Sequence, residues 1–230
     1  MNYLHLGACV GNWSDGTKET RCGFTEFIKK NYMHGDKIFL VEANPKNIDK
    51  LKKCYENFDN VEIINLGISE HKNKILPFFY TEEDAPHYMV CSTKIEHVKK
   101  HYPKAEIKQF QIKTTTIVNL LKNFIKTKSI DFLSIDLEGN DFQTIMSLPI
   151  KEYDIKNISI EHLHLKKFEK RLMVNHLIKN GYSYCGFGYD HQNFDFLFKK
   201  KKIFLNIIIS KFLWLISKKH LKYLNYFISK

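Results

Sequence analysis

Acidic side chains cluster where apolar stretches of this sequence end, and carboxylates so placed can accept a proton or hold a cation. The densest group is the segment 136–141, Asp-Leu-Glu-Gly-Asn-Asp, which follows the apolar run 130–135. Asp136 is the first candidate for a general base, whereas Glu138 and Asp141 could equally cap the next helix. Because neighbouring carboxylates repel one another, we expect at least one to be protonated or metal-bound.

A second polar group, Glu161 and His162, ends the apolar run 155–160. The two side chains point to opposite faces if the strand continues, but both could turn inward at a strand end. His162 is the second candidate for a catalytic base, although a lone histidine is more often a structural residue. A carboxylate facing Asp136 would suit a divalent cation with oxygen ligands, so Asp136, Glu161 and His162 form a candidate metal site.

A third feature is the segment 3–14, in which a short apolar strand leads into a turn containing Gly7, Ala8 and Gly11. Glycine lets bare main chain approach a ligand closely. A helix that starts just past such a turn would offer N–H groups and a positive dipole end to an anion. The same pattern also occurs without any ligand, so the turn needs support from a second element.

Glu42, at the end of the apolar run 37–41, supplies that element. In α/β nucleotide folds, an acid at the tip of the second strand holds ribose hydroxyls. The separation from the glycine turn exceeds the usual ~20 residues, and we assign the excess to an inserted loop at residues 15–23. The alternative is a solvated strand end before the turn at Asn44-Pro45.

The elements that position these groups alternate between strand and helix patterns, which predicts a Rossmann-like, doubly wound α/β fold with a mostly parallel sheet. A closing hairpin from the segments 182–188 and 194–198 should add an antiparallel strand at the C-terminal edge. Ligands of open α/β sheets bind at the carboxyl ends of the strands. That rule places the segment 136–141, the pair Glu161 and His162, the glycine turn and Glu42 on one rim, beside a polar loop at 82–93.

Composition narrows the class of protein further. The chain has 230 residues, 43% of them hydrophobic, and five scattered cysteines with no C-x-x-C pair. Neither a zinc knuckle nor a disulfide framework is therefore predicted. The first strand follows Met1 directly, so we expect no signal peptide. Together these features favour a reducing cytosol.

The net charge of +11 is concentrated at the C-terminal end, since residues 199–230 hold nine of the 36 basic residues and no acid. Residues 1–198 then carry 27 basic against 25 acidic residues, a net +2. A nucleic-acid enzyme usually surrounds its cleft with basic charge, so nucleic acid is an unlikely partner.

The apolar stretch 203–217 is flanked by lysines and is too short for a membrane span, which needs ~20 residues. It fits a basic amphipathic helix on an anionic membrane surface; the alternative is packing on protein. We predict a catalytic domain at 1–198 and this amphipathic helical tail at 199–230, with peripheral attachment at the inner membrane face.

Five segments in order, LHLGACVGNWSDG, FLVEANP, NVEIINLGISE, TTTIVNLL and IDFLSIDLEGND, resemble the FkbM-type S-adenosylmethionine-dependent methyltransferases over roughly residues 3–165. The combination of V-E-A-N-P with I-D-x-E-G is fairly specific. The resemblance implies a Rossmann-like methyltransferase domain that binds S-adenosylmethionine. It also implies methyl transfer to a hydroxyl oxygen of a sugar, a free or lipid-linked glycan, or a polyketide-like metabolite.

The resemblance also assigns cofactor contacts. Glu42 would bind the ribose hydroxyls, and Asn65 and Gly67 would lie beside the adenine. The remaining cofactor contacts would come from the first strand and its turn, from the residue after Glu42 and from the end of the apolar run 130–135: His5, Gly7, Ala8, Gly11, Ala43 and Asp136.

Two departures from the family pattern matter. His5 stands where the family commonly has an aspartate that orients the methionine end of the cofactor, and Cys9 stands where asparagine is usual. Two alternatives therefore stay open, an RNA methyltransferase and a non-catalytic adaptor that retains the fold. No helices precede the first strand, so loop 81–93, the tail or a second subunit of a homo-oligomer could cover the site.

Overall fold

The computed structural model describes residues 1–16, 19–189 and 193–200. The strands used below are β1 Asn2–Leu6, β2 Lys37–Val41, β3 Val61–Ile64, β4 Gly67–Ile68, β5 Ile75–Tyr80, β6 Lys108–Thr115, β7 Phe132–Ile135, β8 Asn157–Glu161, β9 Tyr182–Phe187 and β10 Asp195–Lys200. The helices are α1 Gly23–Asn31, α2 Ile48–Cys54, α3 Ile95–His101, α4 Ile117–Leu120, α5 Asp141–Ser147 and α6 Lys167–Lys179.

Seven strands form the central sheet in the order β9-β10-β8-β7-β1-β2-β3. The five strands from β8 to β3 are parallel, with β1 paired to both β2 and β7. Successive side chains of a strand point to opposite sides of the sheet, so these apolar strands present an apolar surface on both faces. Helices cover both of those faces. Tyr3 packs with α1 and α2, whereas Leu4 packs with the helices of the other face. The predicted mostly parallel α/β sheet is confirmed.

The position of the antiparallel strand differs from the prediction. The antiparallel strand is β10, which lies between β8 and β9 and pairs with both. The edge strand is β9. The crossover through α6 places β9 two strand positions away from β8. The returning chain forms β10 in the position between them, so β10 has hydrogen-bonding partners on both sides.

The start of the first helix also differs from the prediction. The helix does not follow the glycine turn, because two short paired strands, Trp13–Ser14 and Glu19–Thr20, come between the turn and α1. Helix α1 begins only at Gly23. Within the inserted loop at 15–23, Glu19 and Thr20 therefore pair with Trp13 and Ser14; these paired strands are called the rim hairpin below.

A smaller sheet, β4-β6-β5, lies beside the carboxyl end of β3. Phe78 of β5 and Ile112 of β6 form a small separate core that abuts Ala43. Both side chains line the cavity described below, so this small core forms one wall near the rim.

The boundary between the predicted domain and the predicted tail falls within β10, which continues to Lys200. The proposed amphipathic helix at 203–217 lies outside the described residues. Within residues 1–16, 19–189 and 193–200, no helix combines the length and apolar character needed to cross a membrane.

Candidate active site

A cavity of about 340 Å³ opens at the carboxyl ends of the parallel strands. Its size falls within the ~300–1,000 Å³ typical of small-molecule sites. Every parallel strand contributes to its lining through the residues that follow the strand. In sheet order from β3 to β8 these are Leu66 and Gly67, Glu42 and Ala43, Gly7 to Cys9, Asp136 to Glu138, and Glu161 with His164.

The glycine turn is shaped by contact with the neighbouring strand tips. Gly7 has a φ of +84°, and a Cβ on it would lie 1.6 Å from the carbonyl oxygen of Asp136. The amides of Gly7 and Ala8 both donate to the carbonyl of Val41, at 2.9 and 3.0 Å. Neither N–H group is therefore available to an anion, because both are bonded to β2. The expectation of a helix N-terminus just past this turn is wrong, since α1 begins only at Gly23.

Glu42 follows β2 at the rim and is only 7% exposed. Its carboxylate accepts hydrogen bonds from the amides of Cys9 at 2.7 Å and Asn44 at 2.6 Å. Burial raises the pKa of Glu42 to about 7, and the backbone hydrogen bonds oppose that rise. The side chain therefore ties the turn after β1 to the turn after β2 while it lines the cavity.

Three other residues predicted to contact the cofactor, Ala43, Asn65 and Gly67, separate into two kinds. Ala43 and Gly67 line the cavity. A Cβ on Gly67 would lie 2.7 Å from Cδ1 of Ile112, so a larger residue there would have to displace the Ile112 side chain. Asn65 is not among the lining residues. Its side-chain amide donates instead to the carbonyls of Glu42 and Ala43, at 2.8 and 3.2 Å, and so fixes their loop.

His5 of β1 also lines the cavity, with its ring 4.5 Å from that of Phe24 between centroids. Burial lowers the pKa of His5 to about 3, so the imidazole is neutral at physiological pH. Its Nδ1 atom is buried and has no hydrogen-bond partner among the described residues. An unpartnered buried nitrogen costs free energy, on the order of 1–3 kcal/mol, unless a ligand binds to it.

Asp136 and Asp141 take different roles in the acidic segment. Asp136 lines the cavity. The carboxylate of Asp141 accepts the amides of Leu137 at 2.7 Å and Gly139 at 3.1 Å, so it holds the turn before α5. Of the two readings left open for Asp141, its hydrogen bonds favour the structural one.

Glu161 faces the same acidic segment from β8. Ligand oxygens of Asp136, Asp141 and Glu161 lie within 4.8 Å of one another. Burial, followed by repulsion from Asp136 and Asp141, raises the pKa of Glu161 far above its ordinary value. Glu161 is therefore protonated at neutral pH unless a cation binds beside it, as the sequence led us to expect of one carboxylate in this group.

His162 does not line the cavity. It lies on the other side of the sheet, where its ring stacks on that of Phe196 at 3.7 Å between centroids. Its Nδ1 lies 3.2 Å from Nζ of Lys170, and its Nε2 lies 3.2 Å from the carbonyl oxygen of Asn193. The strand alternation simply continues past Glu161, so we withdraw His162 as a catalytic base and as a metal ligand.

Three histidines that the sequence analysis did not select lie next to the acidic segment: His97, His101 and His164. Nε2 of His97 and Nε2 of His164 lie 2.8 and 3.2 Å from Oε2 of Glu138. His97 and His101 are four residues apart on α3, a spacing that places both on one helix face and that could have been read from the sequence. The position of His164 could not.

The loop at 81–93 forms part of the cavity wall, through Tyr88, Met89, Cys91, Ser92 and Thr93. The hydroxyl of Ser92 donates to the carbonyl of Glu138 at 3.1 Å. The ring of His87 contacts Trp13 of the rim hairpin at 4.6 Å between centroids. The loop therefore joins the acidic segment to the rim hairpin and closes one side of the site.

The fold and its rim define the class of protein: an α/β enzyme fold whose strand tips enclose a pocket of nucleoside size. The family model for the methyltransferase FkbM domain matches residues 5–198. The chain belongs to that family. Membership confirms the resemblance found in the sequence, and with it the predicted cofactor, S-adenosylmethionine.

Solved structures with a similar fold are distant in sequence. Fibrillarin from Aeropyrum pernix with bound S-adenosyl-L-methionine is 11% identical, with a TM-score of 0.44, over 86% of this chain and 64% of that one. Fibrillarin from Methanococcus jannaschii is 10% identical, with a TM-score of 0.42, over 88% and 67% of the two chains. Precorrin-6y C5,15-methyltransferase from Geobacter metallireducens is 12% identical, with a TM-score of 0.39, over 86% and 77%. No protein of curated function matches the chain.

Proposed function

We propose that this protein transfers a methyl group from S-adenosylmethionine to a hydroxyl oxygen of a sugar or glycan. One observation carries the proposal: the order of chemical groups along the rim. An apolar wall follows β3, a carboxylate follows β2, a neutral imidazole lies on β1, and acids follow β7 and β8. That order corresponds to the adenine, the ribose, the methionine end and the reacting methyl group of the cofactor.

The cofactor contacts follow from that order. The adenine packs on Gly67, Ile112 and Phe78, which are small or apolar. The buried carboxylate of Glu42 accepts hydrogen bonds from the ribose hydroxyls. The neutral His5 accepts a hydrogen bond from the cofactor's ammonium group, the role that aspartate has in the family pattern.

The reaction is an in-line displacement at the sulfonium methyl group. A lone pair of the acceptor oxygen forms the new C–O bond as the C–S bond breaks, and S-adenosylhomocysteine leaves. Asp136 accepts the hydroxyl proton. Alignment of the reactants supplies on the order of 7–11 kcal/mol in the best model systems, and a general base adds a factor of ~10²–10⁴.

The acceptor class rests on the family and on the polar character of the rim around Asp136. Hydroxyl-rich acceptors match carboxylates and imidazoles better than they match an apolar pocket. The lysine-rich tail at 199–230 suits an acceptor that is attached to a lipid, since it would bring the enzyme to an anionic membrane surface.

Calorimetric titration of the full-length protein with S-adenosylmethionine and S-adenosylhomocysteine tests cofactor binding, with Glu42→Ala as the variant. We expect binding by the wild type and at least tenfold weaker binding by the variant. Equal affinities would refute the assignment of Glu42.

Incubation with methyl-labelled S-adenosylmethionine and separate glycan, lipid-linked glycan and RNA fractions tests the acceptor. Label in a glycan fraction supports the proposal. Label in RNA, with steeply salt-dependent binding that survives removal of the tail, would establish the RNA alternative. Cofactor binding without label in any fraction would establish the adaptor alternative.

A further inference from the structure

We propose that His97, His101 and His164, together with the carboxylate of Glu138, form a binding site for one divalent transition-metal ion of the zinc type. The site would lie at the acidic end of the cavity, where His101, Glu138 and His164 are lining residues. It differs from the oxygen-ligand site expected from the sequence, which included His162.

The three imidazoles converge from two separate parts of the chain. His97 and His101 come from one face of α3, and His164 comes from the loop after β8. The ring centroids are 4.9 Å apart for His97 and His101, 4.6 Å for His97 and His164, and 5.5 Å for His101 and His164. One nitrogen of each ring lies within 4.8 Å of the others, which is close enough for the three rings to turn toward a shared ion.

Glu138 supplies the anionic ligand. It adopts a positive φ of 47°, a conformation uncommon for a residue with a side chain. Its carbonyl accepts from Ser92, and the next carbonyl, of Gly139, accepts from the ammonium group of Lys94. These contacts hold the turn so that the Glu138 carboxylate meets both His97 and His164.

Two further atoms beside this cluster point to a missing ligand. Nδ1 of His164 and Oε2 of Glu161 are buried without a hydrogen-bond partner among the described residues. Glu161 also approaches His164, with Oε1 at 3.4 Å from Nε2. Unpaired buried polar atoms are unfavourable, and a cation between the rings and carboxylates would provide these groups with a partner.

The donor set decides the class of ion. Imidazole nitrogens favour zinc, cobalt, nickel or iron over magnesium and calcium, which prefer an all-oxygen shell. The neighbouring all-oxygen group is less suited to a metal, because the carboxylate of Asp141 already accepts two backbone amides. With all four side chains bound, a zinc-type ion can take an exogenous oxygen as a fifth ligand, which provides one open position.

The ion's role in catalysis rests on the function proposed above. The open position would face the cavity that holds the methyl donor, so an acceptor hydroxyl could bind there. Coordination lowers the pKa of a bound hydroxyl and fixes its orientation. The substrate class that best fits such a site is a sugar with adjacent hydroxyls, one on the ion and one near Asp136.

The test uses the full-length protein without a histidine tag, stripped with a chelator and then dialysed free of it. Titration with Zn²⁺ and with Co²⁺ should give one bound equivalent per chain, and Mg²⁺ should bind more weakly. His101→Ala and His164→Ala should each reduce Zn²⁺ affinity at least tenfold. His34→Ala is the matched control, since His34 is exposed and pairs with Asp59, away from the proposed ligands. It should bind Zn²⁺ like the wild type.

The proposal would be overturned by the absence of stoichiometric metal, by wild-type Zn²⁺ affinity in both the His101→Ala and His164→Ala variants, or by tighter binding of Mg²⁺ than of Zn²⁺. A thiolate charge-transfer band with Co²⁺ would also overturn it, by placing the ion on one of the free cysteines. Circular dichroism confirms that each variant is folded. If His164→Ala does not fold, the exposed His101 decides the outcome, with His101→Gln as the second variant.

Metal binding and cofactor binding are measured separately, so the two proposals can fail independently. A chain that binds S-adenosylmethionine but no metal ion refutes the metal site alone. A chain that binds one Zn²⁺ through these histidines but no S-adenosylmethionine retains the metal site and refutes the methyltransferase function.

Discussion

Gly7 approaches Asp136 so closely that a Cβ on Gly7 would lie 1.6 Å from the Asp136 carbonyl oxygen. The contact joins the tips of two neighbouring parallel strands, β1 and β7. The same strand tips carry the residues assigned to the methionine end and the reacting methyl group of the cofactor. The spacing between those residues therefore depends on a position where no side chain fits.

Gly7→Ala should destabilise the protein by about 3 kcal/mol or more, since overpacking adds to the strain of a positive φ. Urea unfolding measures the change. Gly35→Ala is the control, because Gly35 also has a positive φ of 92° but open space around it; it should cost only about 1 kcal/mol. Equal losses in the two variants would contradict the steric argument.

His5→Phe should weaken binding of S-adenosylmethionine about tenfold, or ~1.4 kcal/mol. The new ring keeps the contact with Phe24 but lacks the nitrogen proposed to accept from the cofactor's ammonium group. Tyr3→Phe, on the same strand, removes a hydroxyl that bonds to Asp36 and should leave cofactor affinity unchanged. Calorimetry compares the three proteins, and wild-type affinity in His5→Phe would exclude the assigned contact.

Cofactor affinity should depend on pH through Glu42, whose pKa is raised to about 7 by burial. Protonation below that value removes the charge that accepts the ribose hydroxyls, so affinity should fall roughly tenfold from pH 8 to pH 6. Stability without cofactor should change in the opposite sense. A raised carboxyl pKa contributes stability below the unfolded value, and that contribution is lost as pH rises through the folded value.

Glu42→Gln tests this linkage, because it should remove the pH dependence of binding. Glu62→Gln serves as the control, since Glu62 is exposed on β3. It should retain the wild-type profile. If the pH dependence of cofactor binding survives in Glu42→Gln, a titrating group other than Glu42 causes it.

Asp136 and His162 should differ in a kinetic comparison. Asp136→Asn removes the proposed base and should lower kcat about 10²- to 10⁴-fold. His162→Phe retains the aromatic stack on Phe196 and should leave kcat within about twofold. It loses hydrogen bonds worth about 1–2 kcal/mol of stability. Steady-state methyl transfer with thermal unfolding separates these effects, and a large loss of kcat in His162→Phe would return that residue to the site.

The sequence by itself determined the parallel sheet, the rim and the family. Apolar runs separated by helix patterns leave few alternatives to a doubly wound sheet, and strand tips of such a sheet share one edge. Gly7, Glu42 and Asp136 each follow a strand directly, so their presence on the rim needed only local pattern. The family motifs are also local sequence patterns, so the cofactor could be predicted from them.

The tertiary structure decided what depends on the direction of side chains and on long-range packing. Residues 161–164 read as a polar strand end in the sequence, but alternation at the end of β8 sends His162 to Phe196, on the opposite face from Glu161. The turn that follows β8 then brings His164 to Glu138. The meeting of α3 with the loop after β8 brings His97 within ring contact of His164. Those residues are far apart in the chain, and only packing between the elements that carry them could bring their nitrogens together.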